Sequence, residues 1–154
     1  MQIKIIYAAR KSEKTYADSI DDYLNRIRLM KYKIETKNID IQKDTPISAL
    51  VVKEEAAAFE RQIARDEYLI ILDDKGKSYT SEKFAQQIQS LANRSSKVCF
   101  LIGGAYGVDQ ELKQKANELL SLSTFTLPHQ LARLVLSEQI YRALSIINNS
   151  KYHH

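Results

Sequence analysis

Short apolar runs alternate with amphipathic segments along the chain, and this alternation constrains the fold more than any other feature of the sequence. The runs are rich in β-branched residues and too brief for helices, so they predict strands, whereas apolar positions at three- and four-residue steps predict helices. The order predicts an α/β fold with a mainly parallel sheet, helices on both faces and a ligand at the carboxyl ends of the strands. The predicted strands are 2–8, 32–41, 68–72, 97–102 and 123–127, and the predicted helices are 14–27, 47–64, 81–92, 108–120 and 128–148.

Several local expectations accompany this outline. The apolar phase of the second strand shifts near 36–38, which a β-bulge would explain. The Asp-Asp-Lys-Gly-Lys stretch at 73–77 indicates a turn after the third strand, and Thr80 or Ser81 is expected to cap the helix that follows. In the second helix one apolar stripe is expected to be buried, formed by Val52, Ala56, Phe59 and Ile63.

Composition limits the class of protein. A length of 154 residues predicts one domain, 1–154, and 44% hydrophobic with 27% charged residues is typical of a chain that folds by itself. No apolar run reaches the length of a spanning helix and the N-terminus lacks an export signal, so we expect a soluble cytoplasmic protein with no membrane partner. Cys99 is the only cysteine and there are only 3 histidines, so neither a disulfide nor a metal site is expected. The net charge of +4 permits a nucleic-acid partner without establishing one.

Three of the 4 glycines, Gly103, Gly104 and Gly107, directly follow the fourth predicted strand. They predict either a ligand-binding turn or a tight turn without a ligand. The spacing G-G-x-x-G differs from the dinucleotide fingerprint G-x-G-x-x-G, and no carboxylate occurs at 122–125, so a Rossmann-type NAD site is not favoured. A β-carbon at Gly103 or Gly104 is expected to occupy space that the ligand or the turn needs.

Four segments together resemble one known family. They are 101–107 (Leu-Ile-Gly-Gly-Ala-Tyr-Gly), 120–130, 138–143 and the terminal Tyr152-His153. In this order, and over the whole chain, they are similar to the RlmH family of SPOUT-class methyltransferases. That family carries a C-terminal trefoil knot and methylates N3 of a pseudouridine in the 23S rRNA of the bacterial large ribosomal subunit.

The resemblance implies a cofactor, a substrate and an assembly. The knot would span about 68–154 and hold S-adenosyl-L-methionine, the substrate would be rRNA in the assembled ribosome, and two chains would form a homodimer with a shared site. No metal would be required. The residues implied to bind the cofactor are Leu72, Gly103, Gly104, Leu122, Ser123, Thr124, Phe125, Thr126 and Leu127.

The resemblance also implies catalytic roles for Glu138, Arg142, Tyr152 and His153. Tyr152 would stack on the target base, and either His153 or Glu138 would accept the proton that N3 must lose. Without the resemblance, Glu138 and Arg142 would be an ordinary helical ion pair and the tail a frayed end. His154 stands where family members usually place Arg or Lys.

The last predicted helix leaves further alternatives open. Its apolar residues cover most of its circumference, which predicts either a subunit interface or a deeply central helix; the resemblance favours the dimer. At its start, His129 is expected to be a capping or packing residue, and Arg133, one turn later, could meet a phosphate. Two rival functions remain: a catalytically silent RNA- or ribosome-binding module of the same fold, and a different small nucleotide-binding enzyme.

Overall fold

The computed structural model describes residues 1–10, 12–40 and 47–153, which form one five-stranded sheet flanked by five helices. The four strand pairs are all parallel, and the strand order is β2-β1-β4-β3-β5. The elements are β1 Gln2–Ala9, α1 Ala17–Leu29, β2 Lys33–Asp40, α2 Ser48–Glu60, β3 Tyr68–Ser78, α3 Ser81–Arg94, β4 Lys97–Ile102, α4 Gln110–Gln114, β5 Glu118–Ser121 and α5 His129–Ile147. The predicted α/β class and parallel sheet are therefore confirmed.

Two hydrophobic cores cover the two faces of the sheet. Because strand side chains alternate, Ile5 faces the core shared with α1, α3 and α5, whereas Ile6 faces the core shared with α2 and α4. From one strand to the next, the connections through α1 and α3 step along the sheet in one direction, and those through α2 and α4 step in the opposite direction. Crossovers of the same hand therefore place these two pairs of helices on opposite faces of the sheet. All five carboxyl ends consequently meet at one edge.

The expected bulge in the second strand is wrong. β1 and β2 pair in continuous register from Gln2↔Lys33 to Ala9↔Asp40, and Ile41 lies outside the described residues. β2 is an edge strand in which only Ile34 is buried, so its other side chains need no strict alternation. The shift in the apolar pattern near 36–38 therefore arises because these side chains of β2 are not buried, and not because the strand contains an extra residue.

The stretch between β4 and α5 corrects two predictions. The helix expected at 108–120 is the short α4, and the final strand is β5 rather than 123–127. Asn117 sets this boundary because its N–H donates to the Leu69 carbonyl at 2.9 Å and its Oδ1 accepts from the Leu69 N–H at 2.7 Å. These two bonds join the chain to β3 at residue 117 and leave 123–127 as a loop.

The predicted turn at 73–77 is an irregular part of β3. Leu72 and Lys77 both pair with Leu120, so the four residues between them are looped out of the ladder. After this irregular part, the Thr80 side chain caps α3 by accepting a hydrogen bond from the Lys83 N–H at 3.3 Å. Of the two predicted caps, Thr80 and Ser81, Thr80 is therefore confirmed.

The long helix α5 packs between α1 and α3. Its residues Leu136, Ile140 and Leu144 are fully buried in the core of the same chain. One side of α5 is therefore buried inside its own chain, as the central-helix alternative predicts, and the subunit-interface alternative stays a prediction. No helix within the described residues is long and apolar enough to cross a membrane.

Gly76 lies where the irregular part of β3 crosses β5, and we predict that Gly76→Ala is destabilising. An added β-carbon would lie 2.6 Å from the Leu119 carbonyl carbon and 2.7 Å from that of Leu120, both backbone atoms that cannot move independently. Overpacking of this kind costs about 1 to 3 kcal/mol. Urea unfolding measures the loss, with exposed Lys75→Ala as the control. An unchanged midpoint for Gly76→Ala would contradict the close approach.

Candidate active site

A cleft of about 700 Å³ lies at the carboxyl ends of β3, β4 and β5. Three segments form it: the residues after β3, the glycine turn after β4, and the loop between β5 and α5. Eight of the nine predicted cofactor residues line this cleft, and Thr124 does not. The eight are Leu72, Gly103, Gly104, Leu122, Ser123, Phe125, Thr126 and Leu127.

The glycine turn is constrained by the chain itself. A β-carbon at Gly103 would lie 2.6 Å from Val108 Cγ2 and 2.7 Å from the Gly107 carbonyl oxygen, and one at Gly104 would lie 2.6 Å from Glu55 Oε1. Gly107 has φ 79°, a conformation that favours glycine. Gly103 is thus required by close packing within the turn and Gly107 by its backbone conformation, whereas the space at Gly104 is taken by the end of the Glu55 side chain. At Gly103 the turn itself needs the space, one of the two expected reasons for a glycine here.

Glu55 is a site residue that sequence reasoning missed. Its Oε2 accepts the Gly104 N–H at 3.3 Å, and the side chain is buried beneath the turn. Burial raises the pKa of the Glu55 carboxyl, opposed by the Gly104 N–H and by His129. The predicted stripe of α2 is confirmed at Phe59 but was one residue late at Val52 and Ala56, because the other buried residues of this helix are Val51 and Glu55. Their four-residue spacing was the available signal.

Two carboxylates and an ammonium group also line the cleft: Asp73, Asp74 and Lys113. Lys113 Nζ lies 2.5 Å from Asp73 Oδ2. Burial opposes ionisation of Asp73, but Lys113 and the Lys75 N–H outweigh it, so the pKa of Asp73 is lowered. Sequence reasoning assigned the two aspartates only to a turn, although they directly follow Leu72.

The loop between β5 and α5 supplies one wall of the cleft and is braced by serines. The Phe125 N–H donates to Ser123 Oγ at 2.9 Å, and Ser121 Oγ donates to the Ser123 carbonyl at 3.0 Å. Leu122 and Leu127 are half-buried against the core, whereas Phe125 is 80% exposed. The loop therefore offers fixed backbone groups beside apolar side chains.

The four predicted catalytic residues come together in a second cluster, the tail cluster, formed by Glu138, Arg142, Tyr152 and His153. Arg142 donates to Glu138 Oε1 at 2.6 and 2.8 Å, and Tyr152 donates to the same oxygen at 3.2 Å. The Arg142 guanidinium lies 4.8 Å from the centre of the Tyr152 ring. Burial, the Tyr23 hydroxyl and Glu138 raise the pKa of Tyr152. The Glu138–Arg142 pair is thus half-buried and not an exposed ion pair.

Glu82 extends this cluster and was not identified from the sequence. His153 Nε2 lies 3.0 Å from Glu82 Oε1, and His153 Nδ1 lies 3.4 Å from Arg142 Nη1. A guanidinium can only donate, so Nδ1 is the acceptor and Nε2–H points at Glu82. Glu82 is in the first turn of α3, far from the tail in sequence, and only the fold brings them together.

Within the described part of the chain, the tail cluster and the cleft are separate. The cleft reaches α5 at His129 and Ala132, whereas the tail cluster begins at Glu138. None of the four tail-cluster residues lines the cleft. His129, expected to cap or pack, lines the cleft instead and places Nε2 3.2 Å from Glu13 Oε2.

Comparisons with known proteins identify the family to which the chain is similar. A family model described as "Predicted SPOUT methyltransferase" matches residues 1–153. The chain is 37% identical over 164 residues to the ribosomal RNA large subunit methyltransferase H of Natranaerobius thermophilus, covering 100% of both chains. It is 39% identical over 153 residues to the protein of the same name from Caldicellulosiruptor bescii, covering 98% of this chain and 99% of that one. With the Pseudothermotoga lettingae protein of that name it shares 48% identity over 103 residues, 67% and 68% of the two chains.

We predict that Glu55→Gln changes how stability depends on pH. A raised pKa in the folded state means that the folded chain binds the Glu55 proton more tightly than the unfolded chain does, so this group makes stability fall as pH rises through the folded pKa. In the variant, the part of the fall in stability that Glu55 causes as pH rises should be absent. The variant should also be at least as stable as wild type at pH 7. Thermal unfolding between about pH 4 and 8 measures it. The exposed neighbour Glu54→Gln is the control. Parallel curves for Glu55→Gln and wild type would refute the raised pKa.

Proposed function

This chain belongs to the SPOUT methyltransferase family, and from that premise we propose that it methylates N3 of a pseudouridine in bacterial 23S rRNA, with S-adenosyl-L-methionine as donor. The observation that carries the proposal is the cleft at the carboxyl ends of β3, β4 and β5, which is lined by the segments that the resemblance assigns to the cofactor. The proposed substrate is this rRNA within the assembled ribosome, and the proposal includes the family's knot over about 68–154.

The cleft suits this donor in size and chemistry. Ligand clefts commonly measure about 300 to 1,000 Å³ and combine apolar walls with a few placed polar groups. Leu72, Leu122 and Leu127 would flank the adenine, while backbone groups of the glycine turn would bond to its edge. The Asp73–Lys113 pair would hold the charged amino-acid end. When bound, the donor supplies an electrophilic methyl group on a sulfonium.

The proton on N3 must leave before or during attack on the methyl group, and the tail cluster favours His153 as its acceptor. Glu138 already accepts from Arg142 and Tyr152. His153 instead directs Nε2–H at Glu82 and keeps the lone pair on Nδ1, where Arg142 is its only partner in the described chain. A base oriented by a carboxylate on its far nitrogen is a recurring catalytic arrangement. We assign stacking on the base to Tyr152.

The separation of the tail cluster from the cleft supports the proposed homodimer. A chain whose catalytic tail lies apart from its own cleft needs another route to bring base and methyl donor within about 3 to 3.5 Å. A second copy supplies this route if the tail of one chain meets the cleft of the other. The same separation supports a site shared between the two chains.

Calorimetry separates the proposal from its two rivals. A catalytically silent ribosome-binding module would bind no S-adenosyl-L-methionine, and a dinucleotide enzyme would prefer NAD. Transfer of a labelled methyl group to whole ribosomes, large subunits and stripped rRNA, followed by mapping of the product, then identifies the substrate. Cofactor binding without transfer to any of the three would contradict the proposed function.

Removal of the tail tests the catalytic assignment. A chain ending at Lys151 should fold and bind S-adenosyl-L-methionine, because no residue of the cleft is lost. Methyl transfer to ribosomes should fall about a hundredfold or more, the scale of a lost acid-base group. A chain ending at His153 is the control and tests His154. Transfer at the full rate by the shorter chain would remove the tail from the mechanism.

Glu82→Gln tests the orientation of His153. An amide keeps the size of the side chain but weakens the hydrogen bond to Nε2–H, so kcat should fall by about tenfold, the scale of one charge-assisted bond. KM should change little, because Glu82 touches neither the cleft nor the proposed stacking residue. Glu111→Gln, also in the first turn of a helix, is the control. Equal kcat values would exclude a positioning role for Glu82.

A further inference from the structure

A second, smaller cleft of about 220 Å³ lies at the carboxyl ends of β1 and β2, apart from the methyl-donor cleft. Its walls come from two strands, the segment between β1 and α1, and the first turns of α5. The polar side chains that line it include Arg10, Lys14, Thr36, Asn38 and Arg133. Nothing in the proposed chemistry uses these residues.

Arg133 is the most unusual group in this second cleft. Its guanidinium lies flat against Tyr7, 3.5 Å from the ring centre, and is half-buried. Burial lowers the pKa of Arg133, and the more distant Glu13 and Asp21 only partly oppose this. Across the described ranges, no carboxylate is within ion-pair distance of it. A guanidinium with five N–H donors is thus half-desolvated, with one face on an aromatic ring and its donor edges unpaired.

Two other arginines that stack on aromatic rings behave differently. Arg26 lies over Tyr23 and pairs with Asp22 at 2.8 Å, and Arg142 lies over Tyr152 and pairs with Glu138. In both cases a carboxylate from the same helix satisfies the guanidinium. Arg133 has the same aromatic support without a carboxylate partner among the described residues, which leaves its donor edges available to an anion from outside the chain.

The charges around Arg133 are mixed. Lys14 and Arg133 are positive and Glu13 and Asp21 are negative, while Arg10, also in the wall, has a further interaction of its own. Glu13 is directed at His129, whose ring lies 3.2 Å away in the wall of the methyl-donor cleft. The same side-chain pair therefore borders both clefts, and an anion on Arg133 lies next to the site of methyl transfer.

We propose that the second cleft binds a phosphodiester of the substrate RNA, with Arg133 as its planar donor and Lys14 as an added charge at the rim. This inference rests on the proposed function, because it makes the anion part of the RNA that receives the methyl group. The fork of a guanidinium matches two phosphate oxygens, and stacking on Tyr7 fixes its plane in advance. Backbone contacts of this kind set the register of a nucleic acid without reading its sequence.

The test is binding of large ribosomal subunits over a range of salt concentrations. Arg133→Gln should weaken binding about tenfold at low salt and reduce the slope of log K against log salt by about one, as expected when one phosphate contact is lost. Arg133→Lys should lose part of the affinity and keep the slope, because the charge stays and the fork does not. Affinity for S-adenosyl-L-methionine, measured by calorimetry, should not change in either variant.

Two further variants make the result decisive. Arg94→Gln also removes one positive charge, but in the last turn of α3, at the end of the sheet opposite to the carboxyl ends of the strands. This variant should leave the slope unchanged. Lys14→Gln alters an exposed residue of the second cleft and should reduce the slope even if Arg133→Gln fails to fold. The proposal is overturned by a folded Arg133→Gln with wild-type affinity and slope, by loss of cofactor binding in that variant, or by an unchanged slope for Lys14→Gln. If wild type transfers no methyl group, the proposed function fails, and this is seen separately from the salt series.

Discussion

The contact between the Glu55 carboxylate and the backbone of Gly104 supports the turn on which the main cleft depends. The Gly104 N–H donates to Glu55 Oε2 at 3.3 Å. The carboxylate can approach the backbone to this distance because Gly104 has no β-carbon. The next residues return the chain through the Gly104–Gly107 bridge and into α4, which brings Lys113 to Asp73. A buried carboxylate is costly unless it is hydrogen-bonded, so the turn and the glutamate stabilise each other. Loss of either would change the cleft even though Glu55 does not line it.

The elements that sequence could predict are those whose own pattern decides their structure. β4 is an apolar run after Lys97, β1 is apolar after Gln2 except for Lys4, and helices cover both faces of these two strands. The prediction failed between β4 and α5, where local propensity and long-range pairing disagree. Asn117 bonds to Leu69, 48 residues earlier, and these bonds decide where the last strand begins. Periodicity contains no information about that pairing.

The same distinction holds for the candidate sites. The resemblance, which rests on contiguous motifs, implied the glycine turn and the loop before α5, and eight of the nine implied residues line one cleft. Glu55, Asp73 and Lys113 were missed because each becomes significant only through a partner distant in sequence or through burial. Glu82 was missed for the same reason, since its relation to His153 arises from the packing of α3 beside α5. Residues that act through tertiary contacts need the fold before their role can be seen.

The geometry of α5 explains why one chain keeps its two reactive regions apart. His129 and Arg133, four residues apart, lie on one side of the helix beside the clefts. Glu138 follows His129 by nine residues, which at 3.6 residues per turn and 1.5 Å per residue corresponds to the opposite side and about 14 Å along the axis. Arg142 follows Glu138 on that opposite side and holds the tail there. Because α5 is buried between α1 and α3, it cannot rotate to bring the two sides together. Under the proposed function, a base held by the tail cluster would therefore meet a methyl donor in the cleft only if the tail leaves its place or if the cleft belongs to a second chain.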